Sequence, residues 1–174
     1  MWSEYYPFGQ VVGLDVNIKQ FEAYGRGMLQ AVGALRRSNV HALQANATDI
    51  SALEVLREAG FGGQAFDIVV DDADHKAKDQ IARFEVLFPN ALRGGGLYFI
   101  EDVLIQAPHA ERFDGQRVRD YFHELSAAAY LPAAEVLVGS HQIDAVRRAS
   151  PDWRHQVEYV TFMRDMVVIG KAPA

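Results

Sequence analysis

Short β-branched runs alternate with segments of helical period along this chain, the pattern of a mostly parallel sheet flanked by helices. The first apolar run is Gln10 to Val16. A polar, partly helical stretch follows, with Phe21, Met28, Val32 and Leu35 as the expected core-facing positions. The second run covers Asn39 to Ala45, and Ser51 to Ala59 then predicts a helix with Leu53 and Leu56 inward, closed by Gly60-Phe61-Gly62-Gly63. The third run, Phe66 to Asp72, is almost continuously apolar before its acids, as strands buried on both faces are. Lys76 to Phe88 predicts an amphipathic helix with Ile81, Phe84 and Phe88 on one stripe, ended by Pro89. Arg93-Gly94-Gly95-Gly96 reads as a turn into a fourth run, Leu97 to Asp102; it precedes a strand and not a helix, unlike a phosphate loop. Gln116 to Ala129 predicts a helix with Val118, Tyr121, Phe122 and Leu125 inward, and Ala133 to Ser140 suits a strand or a loop. Val157 to Met163 and Met166 to Lys171, joined by Arg164-Asp165, predict an antiparallel hairpin.

Composition narrows the function classes. With 174 residues, 49% hydrophobic and 23% charged, the chain suits one soluble domain with a real core. A net charge of −6 without a basic cluster argues against a nucleic-acid surface. Cysteine is absent, which excludes zinc-thiolate sites and thiol catalysis. No apolar run reaches membrane-spanning length and the start lacks a signal-peptide pattern, so a cytoplasmic protein is the expectation. Oligomeric state stays open, a homo-oligomer included.

The apolar runs repeatedly end in acids: Asp15, Asp71-Asp72 and Glu101-Asp102, with Asn46 after the second. Ligands gather at the carboxyl ends of parallel strands, whereas stacked carboxylates without a ligand repel. If the strands ending at Asp72 and Asp102 are neighbours about 4.8 Å apart, then Asp72, Glu101 and Asp102 can converge on one cation. Hard oxygen donors without sulfur suit Mg²⁺. The competing reading makes Asp71, Asp72 or Asp74 a cap of the following helix and Glu101-Asp102 the start of a surface loop. His75, three residues past Asp72, is placed as a general base or as an exposed histidine in the first helical turn. Asp15 stands where an acid takes the ribose hydroxyls of an adenosine cofactor.

The stretch "FDIVVDDADHKAKDQIARFEVLFPNALRGGGLYFIEDV", Phe66 to Val103, resembles the macrocin and mycinamicin O-methyltransferases and the related cephalosporin-hydroxylase-like group. Their pattern is a "DDGSH" segment, a helix with "FEALFP", then "GGLYVIED". "GQVVGLDVN" is similar to their second strand and "VVIGKA" to their last. The resemblance implies a Rossmann-like class I sheet with a C-terminal antiparallel hairpin, an S-adenosylmethionine (SAM) cofactor, Mg²⁺, and methyl transfer to a hydroxyl of a small molecule, often a natural-product sugar. It implies Asp72, Glu101 and Asp102 as metal ligands, His75 as the base, and Asp15, Asn46 and Asp71 on the cofactor side.

Two departures stand out. The family's Gly-Ser before the histidine is Ala73-Asp74 here. The first strand and its glycine-rich GxGxG-type loop also have no counterpart, so the expectation is a single, N-terminally incomplete domain over 1–174 that binds SAM poorly as written, with Met1 an internal methionine. The alternatives are another metal-dependent activity of the relatives, or a non-catalytic methyltransferase-like fragment serving as a binding or assembly module.

Overall fold

The structure, a computed structural model, describes residues 2–31, 33, 38–103, 118–134 and 152–174. It divides into two compact units, Met1–Gly62 and Gly63–Ala174. In the first, α1 (Trp2–Tyr5) leads to β1 (Val11–Asp15), a π-helical turn (Phe21–Gly25) and α2 (Arg26–Ala31), then β2 (Val40–Gln44) and α3 (Ser51–Glu58). β1 and β2 pair in parallel, from Val11 opposite Val40 to Asp15 opposite Gln44. The Asn39 side-chain amide donates to the carbonyls of Tyr6 and Gly9 and so pins the entry to β1. α3 buries Ala52 and Leu56. Met28, expected inward, is 71% exposed, because α2 buries none of its residues within this unit. Val32 and Leu35 lie outside the described residues.

The second unit runs β3 (Phe66–Asp71), α4 (Ala77–Asn90), β4 (Leu92–Glu101), α5 (Val118–Ala134), a 3₁₀ turn (Asp152–Gln156), β5 (Val157–Phe162) and β6 (Met166–Lys171). Its sheet has the order β3-β4-β6-β5. β3 and β4 are parallel, joined through α4 as a βαβ unit, and β6 is antiparallel to both β4 and β5. The helical stripe forms as its spacing predicts: Ile81, Phe84 and Phe88 are fully buried, and Val118, Tyr121, Phe122 and Leu125 close over them from α5. Phe84 is the hub, meeting Phe88, Tyr98, Phe122 and Trp153 with ring centroids 4.7–5.4 Å apart. The contacts with Tyr98, Phe122 and Trp153 are edge-to-face and add to the burial itself. Lys171, at the end of β6, donates to the carbonyls of Phe88, Pro89 and Leu92 at 2.9, 3.1 and 2.7 Å. Two of these, Phe88 and Pro89, belong to the last turn of α4, whose carbonyls a helix end leaves unpaired.

Three details differ from the expectations. Pro89 lies inside the last turn of α4 instead of ending it. Gly94 to Gly96 belong to β4, as a bulge: the register jumps from Phe66 opposite Leu92 to Ile68 opposite Leu97, with Gly95 at φ 74°. β3 is not buried on both faces, since Ile68 is 36% and Val70 41% exposed. It is the outer strand of its sheet, with α4 over the face that carries Asp71. Ala133 and Ala134 close α5, and the remainder of the stretch left as strand or loop, 135–140, lies outside the described residues. No described helix is long and apolar enough to cross a membrane.

Candidate metal centre and active site

Because β3 and β4 are parallel neighbours, with Asp71 opposite Ile100, their carboxyl ends open side by side. Asp72 follows one strand and Asp102 the other, and the loop into α4 brings His75 back between them. Each of Asp72, His75 and Asp102 offers a ligand atom within 4.8 Å of the other two. His75 Nδ1 is 3.6 Å from Asp102 Oδ2, too far for a hydrogen bond. That nitrogen is shielded from solvent and has no hydrogen-bond partner.

The backbone is drawn into unusual conformations at the same place. Among the described residues, the non-glycine positions with positive φ are His75 at 55° and Asp102 at 56°. A left-handed backbone costs an L residue about 1–2 kcal/mol, and such strain gathers at functional sites. Two carboxylates supply hard oxygen donors that fit a divalent cation such as Mg²⁺, and the imidazole beside them, with one buried nitrogen unsatisfied, is placed to take a proton.

Around this cluster the other acids have separate roles. Asp71, expected on the cofactor side, is buried, and both its oxygens accept from Arg83 Nε at 2.9 and 2.8 Å. Burial lifts the Asp71 carboxyl above its ordinary range, with the Arg83 hydrogen bonds and charge pulling against that. This carboxylate is engaged in an internal pair with Arg83. Asp74 accepts from Arg83 Nη1 and Nη2, both at 3.1 Å, and lies 3.4 Å from Lys76 Nζ. Its carboxyl is lowered to about 2: partial burial pushes upward, but hydrogen bonds from Asp79, Arg83 and Lys76 outweigh it. Glu101 stands outside the three-residue group, and its main-chain carbonyl accepts from Gln80 Nε2 at 3.0 Å.

Asp15 and Asn46 occur together in the first unit, at the carboxyl ends of β1 and β2. Asp15 takes the Asn17 N–H at 2.7 Å, and Asn46 takes the Thr48 N–H and hydroxyl at 3.2 and 2.9 Å. Both are exposed. Arg83 and Gln80 are the residues that sequence reasoning did not single out. Their signal was faint: long polar side chains beside the apolar stripe of a helix usually face water.

Over 99% of this chain and 40% of the other, the fold superposes on the MycE methyltransferase of the mycinamycin biosynthetic pathway, with a TM-score of 0.68 at 23% identity. That protein was solved in complex with Mg and SAH, and also with mycinamycin VI. No protein-family model matches the chain.

Individual sequences carry the likeness further. An 8-demethyl-8-(2-methoxy-alpha-L-rhamnosyl)-tetracenomycin-C 3′-O-methyltransferase of Streptomyces olivaceus is 38% identical over 104 residues, 59% of this chain. The mycinamicin VI 2″-O-methyltransferase of Micromonospora griseorubida is 35% identical over the same length. The chain is thus a relative of the macrocin/mycinamicin-type sugar O-methyltransferases, as its motifs imply, and it spans 22% of the length of these two relatives.

Proposed function

We propose that this chain is the SAM- and Mg²⁺-binding part of an O-methyltransferase that acts on a hydroxyl of a small molecule, a natural-product sugar being the class its relatives' names suggest. The observation that carries the reading is the convergence of Asp72, His75 and Asp102 at two parallel strand ends. When bound, Mg²⁺ supplies a hard Lewis acid and SAM an electrophilic methyl group. Asp72 and Asp102 hold the cation, with Glu101 the further acid beside them in the chain. His75, beside Asp102, is the group that accepts the acceptor's proton. Asp15 and Asn46 take the adenosine end of the cofactor.

The test is a titration of the intact protein with Mg²⁺ and SAM by calorimetry, followed by mass analysis of a rhamnosyl acceptor. The reading expects Mg²⁺ to bind, SAM to bind only weakly because the sequence carries no GxGxG-type loop, and the acceptor to gain one methyl group. A chain that binds no Mg²⁺ would overturn it.

A further inference from the structure

Each member of the cluster is preceded in the chain by a residue that α4 grips. Asp71, before Asp72, and Asp74, before His75, are both held by Arg83. Glu101, before Asp102, is held through its carbonyl by Gln80. Arg83 and Gln80 are three residues apart on α4, hence on one face of the helix, and both are buried. Arg83 uses the whole guanidinium fork: Nε goes to the end of β3, while Nη1 and Nη2 go to the loop. The residue so flanked, His75, keeps a left-handed backbone that would relax in a free loop.

We infer that Arg83 is a positioning residue for this site: one guanidinium clamps Asp71 and Asp74, and thereby sets where Asp72 and His75 stand. The inference rests on the metal-site reading above. Lysine keeps the charge but supplies no planar fork, so it cannot hold both acids in the same geometry. Electrostatics alone makes the opposite forecast for a neutral replacement. Removing a positive charge near the acids should strengthen cation binding, whereas loss of the clamp should weaken it.

The experiment uses the intact protein, Mn²⁺ as the probe, and the variants Arg83→Lys and Arg83→Met. Paramagnetic titration should show Mn²⁺ affinity falling by about tenfold or more in Arg83→Lys, the usual scale for a group that orients ligands. It should fall in Arg83→Met as well. In metal-free protein, the His75 ring and amide signals should be single and sharp in the wild type, and split or broadened in Arg83→Lys. Should Arg83→Met fail to fold, Arg83→Lys decides alone. Unchanged His75 signals together with unchanged or tighter Mn²⁺ binding would overturn the clamp. A wild type that binds no Mn²⁺ would instead remove the metal-site reading, while the metal-free His75 signals still decide whether Arg83 orders the loop.

Discussion

His75 Nδ1 and Asp102 Oδ2 face each other at 3.6 Å, from two residues whose backbones are both left-handed. An ordinary helix-capping or surface acid needs no such arrangement. Both backbones stand in a region that L residues seldom occupy, at the place where the two side chains meet.

Asp102→Gly should separate function from stability. Glycine adopts φ 56° without the Cβ clash, which offsets its greater freedom in the unfolded chain. Unfolding free energy should therefore stay within about 1 kcal/mol of wild type, while Mn²⁺ binding is lost. A urea melt and a calorimetric titration of the same preparation check the pair of outcomes.

Asp72 is exposed, so Asp72→Asn should shift unfolding by no more than about 0.5 kcal/mol. Saturating Mg²⁺ should raise the melting temperature of the wild type, because the ion binds only the folded form. The variant should lack that rise. Equal rises in both proteins would remove Asp72 from the ligand set.

Asp74 makes a pH prediction. Its carboxyl is lowered to about 2 in the folded protein, so the folded state favours the ionised form. The resulting stabilisation is present above the unfolded value of about 4 and disappears as pH falls toward 2. Asp74→Asn should flatten this acid limb of the stability curve. The side chain is partly exposed, so the effect should be below about 1 kcal/mol.

Phe84→Ala should be the most damaging of the substitutions considered. The ring is fully buried and lies 5.4 Å from Trp153 between centroids. Truncation should cost about 3–5 kcal/mol and change the Trp153 fluorescence, read in a denaturant titration.

Much of this was legible in the residues. The alternation of runs predicted every described strand, and the third and fourth runs put Asp72 and Asp102 at strand ends, whose pairing as neighbours is what the fold adds. The acid-and-histidine spacing also pointed to His75. What escaped has physical causes. Periodicity reports how apolar a strand is, not whether a neighbour covers it, so the exposure of Ile68 and Val70 was invisible. A glycine triplet looks alike as a turn or as a bulge, because both use positive φ. The pairing of Asp71 with Arg83 joins residues twelve apart across a strand and a helix, where neither charge shows its partner in a one-dimensional reading.

The place of β6 has a consequence for how the molecule comes into being on the ribosome. β6 lies between β4 and β5, so β4 remains without its second neighbour throughout the synthesis of α5 and β5. Lys171 also reaches the end of α4 only once β6 is made. The helix that carries Gln80 and Arg83 is translated early but secured late. A nascent chain stalled before Met166 would present an open β4 edge, the kind of surface on which partly made proteins aggregate.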